Sequence, residues 1–330
     1  MQSLNKEPSV NHYEMLHRVS RTFALSIEQL PGMLREATTV AYLLFRVADS
    51  IEDHDMLDAT TKARLLRLWA DVLHSRAQVS ALTGELSRLD GADPEVYVAQ
   101  HADTVIEQLQ TLPEAYRRIL VSHVYETSLG MARWQEHGPF VRDEAEMDDY
   151  MHEVAGRVGW LLTDVFALHS PAIAAQRDTC MQLGREFGLA LQTVNILRGM
   201  RKDFERGWIF VPESFCRVAG LDSVQLFDPA HETAALQVVG MLAGKARRHL
   251  DNGIAYIRLL PRSQRSIRLF CIWPLLFAAR TLALSLSNPE VLRTEAKITR
   301  SEVKRIVGVS GMFCWSNTLI DFYYKSLLKK

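Results

Sequence analysis

The sequence predicts an all-α protein folded as a single domain, and three observations carry that expectation. Apolar residues recur at helical spacing along nearly the whole chain, no alternating strand pattern persists beyond a few residues, and glycine (17) and proline (11) are sparse in 330 residues. Helices are expected over residues 11–27, 32–53, 59–77, 94–110, 113–134, 145–168, 176–203, 233–258, 264–287 and 300–327. Pro31 and Gly32 separate the first two. Asp90 to Pro94 (DGADP) and the stretch from Gly207 to Pro212 read as loops. There is no internal repeat and no Ser/Gly-rich linker, so residues 1–330 read as one domain, with 1–10 expected to be flexible.

Two helical stretches are unusual. Val154 to Phe166 carries Gly156 and Gly159 inside a helical pattern, where each glycine costs about 1 kcal/mol relative to alanine. Close helix packing and room for a ligand would each explain them. Leu269 to Leu286 is the most hydrophobic segment, but Pro274 and Arg280 interrupt it and its length barely reaches across a bilayer. It is expected to be a buried core helix.

Composition narrows the function classes. The chain is 48% hydrophobic and 23% charged, with 38 basic against 39 acidic residues and no run of like charge, which argues against a nucleic-acid surface. Cys180, Cys216, Cys271 and Cys314 are scattered and form no CxxC pair, so a structural zinc site is not expected and a reducing cytoplasm fits. The opening MQSLNKEPSVNHYEM has no apolar core after a basic patch, so no signal peptide is expected. A chain of this length can enclose a deep apolar cavity without disulfides.

Chemistry concentrates in two places. In Arg46-Val47-Ala48-Asp49-Ser50-Ile51-Glu52-Asp53, Asp49 and Asp53 project from one helical face, with Arg46 one turn earlier and Glu52 beside them. Like charges at that spacing repel unless a cation lies between them, and oxygen-only ligands suit magnesium. A solvated acidic helix end would show the same pattern. In Gln192 to Pro212, Asn195, Gly199 and Asp203 again share a face, Gln192 lies one turn before Asn195, and Arg198, Arg201, Lys202 and Arg206 crowd the region. A cationic helix end after the apolar stretch Phe187 to Leu191 suits an anionic head group above an apolar pocket. A helix leaving the core, with basic residues near its C-terminus, would look alike.

With SRTFALSIEQLP (20–31), AYLLFRVADSIED (41–53), LGMARW (129–134), YMHEVAGRVGWLLTDVF (150–166) and GLALQTVNILRGMRKDFERGWIFVP (188–212), the chain resembles the squalene/phytoene synthase family. LFCIWPLLFAARTLAL (269–284) and KITRSEVKRI (297–306) are more similar to the squalene synthase branch, and the likeness runs from about residue 12 to 325. The resemblance implies an isoprenoid-synthase-type helical bundle around a central apolar cavity, with two Asp-rich motifs on facing helices. It implies a Mg2+-dependent transferase joining two prenyl diphosphates head-to-head through a cyclopropylcarbinyl diphosphate, with farnesyl diphosphate favoured over the C20 substrate. Ionisation is the hard step, and the apolar cavity keeps water from the carbocation.

By position, Asp49 and Asp53 match the first metal motif with Glu52 alongside, and Asp203 is the carboxylate left in the second. Ser20, Arg21, Tyr42, Arg46, Gln192, Asn195 and Arg198 match positions around the diphosphate or metal, and Tyr150 matches an active-site tyrosine. Phe23, Val154, Val158, Leu189 and Phe270 are expected to line the cavity.

The departure lies in the second motif. The family reads Asp-x-x-Glu-Asp where this chain reads Gly199-Met200-Arg201-Lys202-Asp203, and a usual arginine in the next loop is Trp208. Losing two carboxylates and gaining a cation shifts the local charge by about three units, so fewer magnesium ions are expected. Arg201 or Lys202 could bind diphosphate directly and condensation continue. The site could instead activate one diphosphate, as a lyase or terpene cyclase, or bind an isoprenoid without catalysis. No GxGxxG appears, but reductive members of the family lack one too, so NADPH use is undecided. Trp134, Trp160 and Trp273 read as core or cavity wall. Partners are limited to the prenyl substrate, peripheral contact with a membrane surface, and at most a second copy in a homodimer.

Overall fold

In the computed structural model, residues 11–286 and 288–329 are described, so the lead-in 1–10 lies outside the described residues. The chain is helical nearly throughout, and β structure among the described residues is limited to one bridge between Phe140 and Ile209. Two compact units are present, Met1–Ala132 and Arg133–Lys330.

The first unit holds α1 (His12–Val19), α2 (Arg21–Ile27), α3 (Gly32–Glu52), α4 (Ala59–Leu73), α5 (Val79–Leu86), α6 (Pro94–Gln100), α7 (Ala102–Thr111) and most of α8 (Glu114–His137). The expected helix 11–27 is interrupted at Ser20, which is extended (φ −153, ψ 109) and caps α2 by accepting a hydrogen bond from the Phe23 N–H at 3.1 Å. Likewise 94–110 breaks at His101. Helix α3 is the spine of the unit, and Leu34, Val40, Leu43, Leu44, Val47 and Ile51 are buried along it.

The second unit holds α9 (Glu144–Met151), a π turn (His152–Gly156), α10 (Arg157–His169), α11 (Pro171–Ala174), α12 (Arg177–Glu205), α13 (Glu213–Val218), α14 (Glu232–Leu259), α15 (Arg265–Ser285), α16 (Arg300–Phe313) and α17 (Asn317–Leu327). Helix α15 is the expected core helix. It is long and apolar enough to cross a membrane, yet 17 of its 21 residues are buried inside the unit, which accounts for its being apolar on every side. Arg268 on α15 is wholly buried and donates to the carbonyls of Cys314 (2.6 Å), Ile257 (2.7 Å) and Leu260 (2.8 Å) and to Asn317 Oδ1 (2.7 Å). It thereby ties the end of α14 to the turn between α16 and α17. That turn splits the expected helix 300–327, with Ser316 as the cap of α17.

The glycines of 154–166 serve close helix packing. A Cβ built on Gly159 would overlap the backbone carbonyl of Gly184, and one on Gly188 would overlap that of Ala155. Helices α10 and α12 therefore meet backbone to backbone, and neither neighbour is a flexible side chain that can turn aside. Gly159→Ala is expected to destabilise the fold by about 3 kcal/mol, the upper end of the overpacking range. Gly244→Ala on α14, where nothing lies within 4 Å, should cost nothing and stabilise by up to about 1 kcal/mol. Thermal melting of the two variants checks this, and equal melting temperatures would sink the packing argument.

Candidate active site

In the first unit the site is built on one face of α3. Phe23 from α2 sets its ring 5.8 Å from that of Tyr42, whose hydroxyl accepts a hydrogen bond from Arg46 Nη2 at 2.9 Å. Arg46 Nη1 pairs with Glu95 at 3.0 Å and lies 3.8 Å from Asp49 Oδ2. Asp53 closes the helix with helical dihedrals, and its N–H bonds the Asp49 carbonyl at 2.8 Å, so the four-residue spacing is kept in three dimensions. Glu52 is partly buried and Asp53 exposed. Ser20 acts locally as the cap of α2, and the Arg21 side chain lies outside the described part.

Electrostatics single out Asp49. Its side chain keeps 32% of its surface open, but protein atoms crowd the carboxyl enough that loss of water raises its pKa to about 7. The Arg46 guanidinium opposes that rise, while the negative charges of Asp53 and Glu95 add to it. Glu95, from the first turn of α6, belongs to this cluster and carried no signal in the sequence, because nothing local links it to α3. It is fixed there by Ser50, whose hydroxyl donates to the Glu95 carbonyl at 2.8 Å.

In the second unit Tyr150 is buried at the end of α9. Its ring stacks on Phe210 (4.3 Å between centroids, 14° between planes), Phe210 stacks on Trp208 (5.3 Å, 16°), and Trp134 meets Tyr150 edge-on (5.3 Å). Such pairs are worth about 0.5–1.5 kcal/mol each beyond burial. The chain reaches this stack by leaving α12 through Gly207, whose φ of +83 favours glycine, and the segment is then pinned by the Ile209 N–H to the Pro139 carbonyl at 2.9 Å. Trp208, noted in the sequence only as a missing arginine, thus forms one end of an aromatic run. Val154 and Val158 are partly buried, Leu189 and Phe270 fully so. Phe270 meets Phe166 edge-on at 5.8 Å.

Along α12, Asn195 Nδ2 reaches Gln192 Oε1 at 3.4 Å. The four basic residues do not converge. Arg198 pairs with Glu295 (3.1 Å), Arg201 with Glu205 (2.8 Å), Arg206 with Asp203 (3.0 Å), and Lys202 is the exposed one.

The two motifs fit a metal differently. Around Asp49 the donors are hard carboxylate oxygens in mutual repulsion, which suits a divalent cation. Among the described residues no group of three His, Cys, Asp or Glu side chains is placed to hold a metal by itself. Magnesium commonly takes one or two carboxylates and completes its shell from phosphate and water, so the Asp49 face has what such an ion needs from protein. The Asn195–Asp203 stretch offers less: one oxygen of its carboxylate is paired with Arg206, and Gly199 supplies no side-chain donor.

The sequence pattern of the squalene/phytoene synthase family matches residues 16–302. The chain is 29% identical over 303 residues to a squalene synthase of Schizosaccharomyces pombe, covering 89% of this chain and 63% of that protein. It is 30% identical over 300 residues to Botryococcus squalene synthase of Botryococcus braunii, covering 89% and 61%. The chain thus spans about three fifths of the length of these relatives. The solved structure of TcSQS with the ligand E5700 superposes with a TM-score of 0.83 at 25% identity, covering 96% of this chain and 90% of that one.

Proposed function

The chain belongs to the squalene/phytoene synthase family, and from that premise we propose that it is a magnesium-dependent prenyltransferase. It would condense two prenyl diphosphates, farnesyl diphosphate by preference, head-to-head to a squalene-type C30 product and release diphosphate. The observation that carries this reading is the line Tyr42–Arg46–Asp49–Asp53 on α3, in which loss of water, and after it the charges of Asp53 and Glu95, raise the pKa of the Asp49 carboxyl against the pull of Arg46.

Asp49 and Asp53, with Glu52 alongside, would offer magnesium the one or two carboxylates it takes from protein, and the ion when bound supplies positive charge to a departing diphosphate. Arg46, held by Tyr42 and Glu95, fixes the orientation of the Asp49 carboxyl and offers its own cation beside it. Lys202 supplies a second cation where the family's second motif has a glutamate. Phe210, stacked face to face, and Trp134, edge-on, fix the plane of the Tyr150 ring, so the residue that matches the family's active-site tyrosine would enter the reaction already ordered. Val154, Val158, Leu189 and Phe270 would enclose the prenyl chain and exclude water.

One observation favours a second reading. Asp203 is paired with Arg206 rather than grouped with other acids, so the second motif is poor in metal ligands and the protein could ionise a single diphosphate as a lyase. Incubating the protein with farnesyl diphosphate and magnesium, with and without NADPH, separates the two. A C30 hydrocarbon supports condensation, squalene itself requires the reductant, and a C15 alcohol or hydrocarbon alone supports the lyase. Tight binding without turnover would overturn both. Restoring the family pattern with Gly199→Asp and Lys202→Glu is expected to steepen the dependence of turnover on magnesium concentration rather than simply raise the rate. An unchanged magnesium titration would exclude a role for Lys202 as a substitute cation. The location proposed is the cytoplasm, with peripheral contact to a membrane.

A pH effect follows from Asp49. A proton competes with magnesium for its carboxylate, so apparent magnesium affinity should be flat above pH 7 and fall about tenfold per unit below it. Because the folded-state pKa is raised, Asp49 lowers stability as pH rises from the unfolded carboxylate range to about 7, and magnesium relieves that penalty. Magnesium should therefore raise the melting temperature more at pH 8 than at pH 6. Equal shifts at both values would remove Asp49 from the metal site.

A further inference from the structure

Asp149 precedes Tyr150 on α9, and consecutive helical positions point about 100° apart, so the two side chains leave the helix in different directions. The Asp149 carboxylate meets a neighbour of the tyrosine ring instead. Trp134, 1% exposed, donates its indole N–H to Asp149 Oδ2 at 3.1 Å, and the same indole stands edge-on to Tyr150 at 5.3 Å. Arg133, the residue before it on α8, pairs with that same oxygen at 2.8 Å. One carboxylate oxygen thus gathers two consecutive residues of α8 against α9.

That carboxylate is held although its side chain is half open to solvent. Arg133 Nη2 also reaches Glu153 Oε1 at 3.3 Å, and Glu153, buried within the π turn, accepts from Arg157 Nε at 2.6 Å. Charges alternate along Asp149, Arg133, Glu153 and Arg157, so the partner of Asp149 is itself anchored. An indole has one polar atom, and in a buried ring an unpaired N–H is costly. The acceptor therefore selects one orientation of Trp134, and with it the edge that Tyr150 meets. Phe210 lies flat on the tyrosine at 4.3 Å, but a stacked partner alone lets a ring slide in its own plane. The edge contact of Trp134 is what opposes that slide.

We infer that Asp149 is a positioning residue: by holding Trp134 it fixes the Tyr150 ring in the orientation used for reaction. The inference rests on Tyr150 being the active-site tyrosine of the proposed function. Without the acceptor, Tyr150 stays stacked on Phe210 but is no longer braced at its edge. A displacement of about 1 Å in a reacting group costs up to about a hundredfold in rate, so a ring that is loosened rather than removed should cost about tenfold. A plain structural tie between α8 and α9 is the competing role for the same contacts.

Diphosphate release from farnesyl diphosphate and magnesium by the full chain separates the two roles, since condensation and lyase chemistry both liberate diphosphate. Asp149→Ala and Trp134→Phe should each lower kcat about tenfold and leave KM within about twofold, with far-ultraviolet circular dichroism showing equal folded fractions. The double variant should be no slower than either single one, because both break the same link. Asp149→Asn, whose amide oxygen still accepts from the indole, should restore turnover to within about threefold of the parent. Losses that multiply in the double variant and follow the melting temperature would mean a structural tie and overturn the inference. Near-ultraviolet circular dichroism without substrate needs no turnover: the signal of the Trp134–Tyr150 pair should shrink in Asp149→Ala and return in Asp149→Asn. An unchanged spectrum in Asp149→Ala would also overturn the inference. Tyr150→Phe tells the two possible failures apart. Turnover like the parent's there would withdraw the role of Tyr150 and this inference with it, whereas a slow Tyr150→Phe beside an unimpaired Asp149→Ala would overturn the inference alone.

Discussion

Asp49→Asn is expected to lower turnover of prenyl diphosphate by about a thousandfold, on the footing that metal-borne charge stabilises the ionising transition state by several kcal/mol and each 1.36 kcal/mol is a factor of ten. The substitution removes one charge and keeps the side-chain shape. Arg46 retains its partners Tyr42 and Glu95, so the face of α3 stays in place. Stability should move the other way. A carboxyl whose folded-state pKa is raised to about 7 disfavours the folded state at higher pH, and asparagine removes that effect. At pH 8 the variant should melt no lower than the parent while losing activity. Steady-state rates across a magnesium titration, with a melting curve on the same sample, check both halves. Turnover within about threefold of the parent, a loss of under 1 kcal/mol, would remove Asp49 from the chemistry.

Arg268→Met should be the most damaging change away from the site, at about 4 kcal/mol, and lower the melting temperature by about 10 °C. Its charge is met by carbonyl dipoles and an amide oxygen instead of a carboxylate, and burial pushes its pKa below the usual arginine range. Methionine fills a similar volume but donates nothing. The carbonyls of Ile257, Leu260 and Cys314 and the side chain of Asn317 would then lose their donor in a buried setting. Helices α16 and α17 should loosen first, so limited proteolysis should cut the variant near 314–316 before it cuts elsewhere. A melting temperature within about 2 °C of the parent, under about 1 kcal/mol, would show that water replaces the guanidinium.

What could be read in the chain follows the range of the signal. Asp49, Asp53 and Arg46 share a face because helical periodicity is local, and α3 matches its expected bounds almost to the residue. The same locality explains the misses. Glu95 reaches Arg46 from another helix, and Phe210 reaches Tyr150 across 60 positions of sequence. Neither pairing leaves a periodic trace. Helices α5 and α13, with eight and six residues, are too short for their pattern to stand out. Ser20 and Ser316 break expected helices because a capping serine within an apolar pattern looks like an ordinary polar residue. The π turn at His152–Gly156 adds one residue to a helix that reads as continuous. Arg198, Arg201, Lys202 and Arg206 appear as one cationic cluster in the sequence, and in the structure the three arginines are each engaged by a separate carboxylate.

The backbone contact between α10 and α12 has a consequence for how this family member can be searched by mutation. Gly159 and Gly188 admit no larger side chain because carbonyl groups occupy the space a Cβ needs. In a saturation library selected for product, both positions should tolerate nothing and score as though they handled substrate. The same library sorted for soluble protein should reject them equally, whereas Asp49 should vary freely in the second screen and not in the first. Two selections on one library would thus distinguish residues that build the scaffold from residues that act on the substrate.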